Sequence, residues 1–370
     1  MISPLEAMTQ IFRSLPPPQI ERCETVKARG RRLAAPLVAE SPLPLFDDSA
    51  MDGYALRLTE LETLGQLPVS QEIPAGSAPT PLTVGSAARI FTGAALPVGA
   101  DTVVIQEAML REIGEAGQAI VRLAVDATQP KAGAHIRRRG GELSVGSTAL
   151  SSGDLLDPAS LGLAAGLGIA SLPVYRRPQV SLLITGSELV PPFGRAPKLG
   201  ERRESNGLLL ESALQELGLT VDRVGALSDD DRTIEAALEH AQSADVIITV
   251  GGVSVGDYDR SGAVLRERAE PLFSKVAVKP GKPFTFARLG ERLVFGLPGN
   301  PASAQVIFEL FLRPALLAMM GDPRPHARVV SFPLHAPLAA GGRRFELRRA
   351  HLTENERGDQ RLDLQRSQSS

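Results

Sequence analysis

DVIITVGGVSVGDYD, residues 245 to 259, is a short apolar run that feeds into a glycine-rich, acid-loaded loop. Val246, Ile247, Ile248 and Val250 are β-branched, so the strand they predict needs cover on both faces, as in a central parallel strand. Gly251 and Gly252 let the backbone turn sharply and approach a ligand. Ser254 adds a hydroxyl, Gly256 a second hinge, and Asp257 and Asp259 two carboxylates. Ligands of open α/β sheets sit beyond the carboxyl ends of the strands, which is where this loop falls. Backbone N–H groups there can hold phosphate or another oxyanion, and nearby carboxylates point to a bridging divalent metal. The bland alternative is a tight turn with solvated acids.

The neighbouring segments extend the same α/β pattern. Val180 to Ile184 reads as a strand followed by TGSEL, which carries Glu188. Ser205 or Asn206 can cap a helix whose Leu210, Leu214 and Leu217 share a face, and Gly218 closes it. Thr220 to Leu227 is a strand ending in Ser228 and Asp229 to Asp231, and Ile234, Ala237, Leu238 and Ala241 then follow helical spacing. A helix is expected around Gly262 to Arg268. After a strand at Lys275 to Val278, KPGKP holds Lys279 and Lys282 stiffly, ready to surround an anion at low entropic cost. GLPGNPAS, Gly296 to Ser303, is a further strand-to-helix turn whose Pro301 suits the first helical turn, with the helix running to about Met320.

Before this core the chain reads differently. Pro4 to Leu15 is an amphipathic helix stopped by Pro16, Pro17 and Pro18. Glu24 to Leu37 is expected to be strand then helix, and Leu155 to Leu172 helix. From about Thr59 to Ala132 the pattern is β-rich, with strands at Thr102 to Ile105 and Ala119 to Val125. Asp52-Gly53 is a turn signal in a loop of aspartates, and Thr92-Gly93 a second one. His135 to Leu143, HIRRRGGEL, carries three consecutive arginines; one could grip a phosphate, but a salt-bridged edge is the more ordinary outcome. After Asp322 the segments Val329 to Leu338, Phe345 to Leu352 and Arg361 to Leu364 alternate like strands.

With 370 residues the chain is long enough for two to four domains. Forty basic residues against 42 acidic ones, net charge −2, argue against a general nucleic-acid or membrane-surface binder. A single cysteine, Cys23, excludes an intrachain disulfide and a cysteine-based zinc site, and fits a reducing, cytoplasmic setting. Leu161 to Val174 is too short and glycine-rich to span a bilayer, and the N-terminus lacks a signal pattern.

In a parallel sheet the loops after successive strands gather at one edge. That edge would hold Glu188, the Asp229 to Asp231 run, Ser254, Asp257, Asp259, Lys279, Lys282 and Ser303. Acids for a metal beside lysines for an oxyanion suit phosphoryl or nucleotidyl chemistry. No Walker A pattern is present, and no GxGxxG follows a strand.

FDDSAMDGYA, RIFTGAALPVGADTVVIQE, IRRRGGEL, TGSEL, ESNG, the aspartate run, GGVSVGDYD, KPGKPF and GLPGNPASA occur in an order that resembles the molybdopterin molybdenumtransferases. These are the molybdenum-insertion enzymes of molybdenum cofactor synthesis, related to the C-terminal domain of gephyrin. The resemblance covers residues 1 to about 350. It implies an α/β multidomain homodimer: a small discontinuous α/β domain (1–46 plus 140–174), a β-rich insertion (47–139), a molybdopterin-adenylyltransferase-like α/β domain with a parallel-type sheet (175–322) and a C-terminal β-domain (323–370) that looks truncated.

The reaction it implies is Mg²⁺-dependent: adenylylated molybdopterin and molybdate react, molybdenum enters the dithiolene and AMP leaves. Lys279, Lys282, Ser303 and the GLPGNP backbone (Pro298, Gly299 and Asn300), with Pro283 alongside, would then cage molybdate. Glu188, Asp229, Asp257 and Asp259 would hold Mg²⁺, and Gly251, Gly252 and Ser254 would cradle a phosphate or pterin end. Asp52, Thr92 and Glu142 would reach the site from the partner subunit. Gly141-Glu142 stands where relatives often carry two acids, and Arg349 with Ser367 or Ser369 are the nearest matches to a C-terminal Arg and Ser that relatives lend to molybdate. Contact with the molybdopterin adenylyltransferase is a further expectation. Two alternatives stay open: a scaffold protein of the same fold, and a nucleotide pyrophosphatase.

Overall fold

The computed structural model describes residues 1–370 except 116, 229, 252–263, 265, 266, 339–341, 343, 356 and 365–370. The chain divides into two compact units: 1–35, 152–161 and 171–370 form the first, and 36–151 with 162–170 the second.

The first unit is built on a six-stranded sheet. Its strands are β1 (Val180–Thr185), β2 (Val221–Leu227), β3 (Val246–Val250), β4 (Glu270–Phe273), β5 (Thr285–Leu289) and β6 (Arg292–Leu297). The spatial order is β2-β1-β3-β6-β5-β4, parallel from β2 to β6, while β5 runs antiparallel to both its neighbours, β6 and β4. The expected parallel sheet is therefore a mixed one. The segment Arg288 to Arg292 turns back at once, leaving no length for a crossover.

β3 has the expected bounds, and all five of its residues are buried. Alternation along the strands divides the core between two faces. Val246, Ile248 and Val250 pack with Leu182, Phe295 and Leu297 on one side, beneath α1 (Pro4–Ser14), α2 (Asn206–Glu216) and α4, which begins at Pro301. Ile247, Leu183 and Val294 point the other way, under Ile234, Ala237 and Leu238 of α3 (Asp231–His240).

α4 runs from Pro301 to Met319 with a π turn at Phe308–Leu312. Pro314 accounts for the widening: it lacks an N–H, and its ring crowds the carbonyl four residues earlier. By length and composition alone α4 could cross a membrane, but Ala304, Ile307, Phe308, Phe311, Leu312 and Leu316 belong to the core.

In the second unit, six strands order as Thr102–Ile105, Gly53–Leu56, Ala87–Ile90, Gln66–Ile73, Ala119–Leu123 and Met109–Ile113. Tyr54, Leu56, Ala87 and Val104 face one apolar cluster and Ala55, Ala88 and Val103 the other.

Several expectations need correcting. Gly53 opens a strand instead of ending a turn: a side chain there would collide with the carbonyl of Val104. Glu24 to Leu37 holds no α-helix, only a 3-10 turn at Thr25–Lys27, because Gly30 with φ +73° redirects the chain. The helix expected over Leu155 to Leu172 is confined to Pro158–Gly166, since Gly168 turns at φ +74°, and Ser171–Tyr175 is a strand. Val329 to Leu338, carrying Pro333 and Pro337, forms only an isolated bridge at Leu334. Strands do occur at Phe345–Glu346, Ala350–Glu354 and Gln360–Leu364.

Candidate functional site

At the carboxyl edge of the first unit's sheet, three strand ends meet at Gly251. Its N–H donates to the Leu297 carbonyl at 3.1 Å, its φ is +89°, and a Cβ on it would collide with the Thr185 carbonyl. Only glycine meets both demands at low cost. Gly299 is stacked just above, so that a Cβ there would sit 3.6 Å from the Gly251 Cα. Asn206, at the start of α2, donates from Nδ2 to the Gly299 carbonyl at 2.8 Å, while its Oδ1 is buried with no partner among the described residues. Ser205 holds the N-cap position without a side-chain capping bond, and Asn206 ties α2 to the GLPGNP turn.

The GLPGNP turn leads into α4 as its composition requires. Asn300 caps the helix, its Oδ1 accepting from the Ser303 N–H at 3.2 Å and the Ser303 hydroxyl at 3.4 Å, and Pro301 opens the first turn. Pro298 and Ser303 are buried, while Gly299 and Asn300 are exposed. The KPGKP loop lies directly on this helix. Gly281, at φ +118°, leaves a Cβ position only 2.8 Å from the Ile307 Cδ1 and 3.8 Å from the Ser303 carbonyl. Pro283 is half-buried and Lys282 exposed, with no ion pair for Lys282 among the described residues. Lys279 differs: its Nζ lies 2.9 Å from Glu346 Oε1, and Arg348 reaches Glu346 Oε2 at 3.0 Å. Lys279 and Arg348 together hold the Glu346 carboxyl below the usual range. Sequence reasoning missed Glu346 and Arg348; Arg349 is exposed one residue further on.

Glu188 is exposed in the loop after β1. Asp229, Gly252, Ser254, Asp257 and Asp259 lie outside the described residues, as do Ser367 and Ser369. Asp230 is the N-cap of α3: it accepts from the Thr233 N–H at 2.9 Å and hydroxyl at 2.6 Å, and from the Ser228 hydroxyl. These bonds, Ser228's first, bring its pKa down to about 2. Among the described residues no three His, Cys, Asp or Glu side chains cluster closely enough for a metal. Of the four acids expected to bind one, only Glu188 is described; as a set they are hard oxygen donors, which suit Mg²⁺.

The second unit brings Asp52 and Thr92 together. Asp52 Oδ1 accepts from both the N–H and the hydroxyl of Thr92 at 2.8 Å, which lowers the Asp52 pKa, with nearby Arg89 adding to the effect. The Arg89 guanidinium lies over the Tyr54 and Phe91 rings, 5.1 and 4.8 Å from their centroids, and donates to the Gly53 carbonyl at 3.1 Å. Glu142 is exposed in the turn after the arginines. Those arginines form the salt-bridged edge: Arg137 bonds Asp48 at 2.7 Å, Arg138 bonds Asp47 at 2.7 Å, and the Arg139 N–H donates to Asp47 at 2.7 Å.

Comparison with known proteins decides the family. Residues 2–168 match the MoeA N-terminal region (domain I and II), and 181–318 match a probable molybdopterin binding domain. Molybdopterin molybdenumtransferase 2 of Mycobacterium tuberculosis is 40% identical over 339 residues, 88% of this chain and 82% of that protein. The chain belongs to the molybdopterin molybdenumtransferase family. The Haemophilus influenzae molybdopterin molybdenumtransferase is 36% identical over 361 residues, covering 95% of this chain and 86% of the relative. A crystal structure of molybdopterin biosynthesis moeA protein from Pyrococcus horikoshii OT3 superposes with a TM-score of 0.80 at 28% identity, covering 100% of this chain and 91% of that one. As a molybdenumtransferase the chain is an enzyme of molybdenum cofactor biosynthesis.

Proposed function

We propose that the enzyme inserts molybdenum from molybdate into adenylylated molybdopterin and releases AMP, as a cytoplasmic homodimer that receives its substrate from the molybdopterin adenylyltransferase. What supports this reading most is the packing of Gly281 on the first turns of α4, which sets the KPGKP loop beside Ser303 and the GLPGNP turn. Lys279, Lys282, the Ser303 hydroxyl and the backbone of Gly299 and Asn300 bind the tetrahedral dianion, with Pro283 and Pro298 shaping the cage and Arg349 contributing from the C-terminal segment. Gly251, Gly252 and Ser254 cradle a phosphate or pterin end. Glu188 with Asp229, Asp257 and Asp259 would hold Mg²⁺, which when bound would polarise the phosphoanhydride. Asp52, Thr92 and Glu142 come from the partner subunit, the Thr92 bonds holding the Asp52 carboxylate ionised and oriented. The protein's part is placement of charge, not a covalent nucleophile.

The test is substitution on the anion side. Lys282→Met is expected to raise the molybdate concentration needed for half-maximal AMP release at least tenfold, and Ser303→Ala by a smaller factor. Unchanged molybdate dependence in both variants would remove the anion cage from this region.

A further inference from the structure

The lysine expected to meet the dianion already has an anion of its own. Val278–Lys279 pairs in parallel with Phe345–Glu346, and the Glu346 carboxylate uses one oxygen for Lys279 at 2.9 Å and the other for Arg348 at 3.0 Å. A carboxylate shared between two cations is what a bound oxyanion would look like there, one charge short. The docking of the strand does not depend on it. The Phe345 N–H donates to the Ala277 carbonyl at 2.9 Å, the Leu347 N–H to the Lys279 carbonyl at 2.8 Å, and Leu347 packs against the core. The lysine end of the ion pair is solvated: the Lys279 side chain is 56% exposed, against 19% for Glu346. A pair with one partner so exposed adds little to the fold, so its exchange for another anion is cheap.

We propose that Glu346 is an internal stand-in for the oxyanion, holding Lys279 and Arg348 in place until a tetrahedral dianion displaces it. Arg348 thereby becomes an anion ligand in its own right. The carboxylate sets a threshold on binding: a monoanion merely replaces like with like, whereas a dianion gains from both cations. This inference rests on the reading of KPGKP as an anion loop.

The experiment is calorimetric titration of the whole chain with sodium molybdate, and separately with sodium sulfate, at constant ionic strength. Glu346→Gln keeps the shape and removes the competing charge, so it is expected to bind molybdate about threefold to tenfold more tightly than the wild type. Glu346→Asp, too short to span both cations, is expected to fall between the two, and it carries the test if the Gln variant does not fold. Equal or weaker binding in both variants would overturn the proposal and leave Glu346 as a brace for the strand. Absence of molybdate binding in wild type and variants alike would overturn the anion-loop reading itself, and the stand-in with it.

Discussion

At Gly251 a backbone φ of +89° and a collision between any Cβ and the Thr185 carbonyl combine at one position. Gly251→Ala is expected to lower stability by roughly 1–3 kcal/mol from the backbone conformation alone, and more from the steric clash, read as a shift in the urea midpoint. A midpoint within error of wild type would contradict the convergence of the three strand ends. Thr92 makes a different prediction. Thr92→Val removes one of the two bonds to Asp52 Oδ1, so the Asp52 carboxyl is expected to titrate at higher pH, with the acid limb of the AMP-release profile moving upward by a measurable fraction of a unit. Gly251 was legible from sequence because a glycine straight after a β-branched run has one common use. Contacts between distant residues were not: Asn206 and Gly299 are 93 positions apart, Lys279 and Glu346 67. No local pattern marks either pair.

β3 has the bounds its apolar run implied because a short, continuous β-branched run suits a strand covered on both faces. Segments with glycine and proline inside an apolar pattern were misread, as at Leu155 to Leu172, where Gly168 overrides helical spacing. The aspartate run was read as a group, but its members differ. Asp230 caps α3 with a pKa of about 2, below the 3.8 of a free aspartate. A depressed carboxyl stabilises the fold above its unfolded pKa and loses that contribution as pH falls through the folded one. The stability difference between wild type and Asp230→Ala is therefore expected to be constant above about pH 5, and to shrink between about pH 4 and pH 2. Urea titrations at stepped pH check this, and a difference independent of pH down to about 2 would show that the charge is immaterial to the cap.

On the scale of the whole molecule, one buried face joins Phe284, Phe286, Phe295 and Phe311, with Phe286 and Phe295 centroids 4.9 Å apart. Phe295→Ala is expected to cost about 3–5 kcal/mol in urea unfolding, the usual range for emptying a fully buried aromatic position. The family and the α/β architecture were legible in the order of motifs. The reversed strand β5 was not, because a strand's direction in a sheet leaves no trace in its own composition. What the assembled site does is best tested by one measurement: AMP release from adenylylated molybdopterin by the 370-residue chain with Mg²⁺, with and without molybdate. The account predicts release that depends on molybdate. Equal release without molybdate would make the enzyme a hydrolase of the anhydride and contradict the proposed insertion reaction.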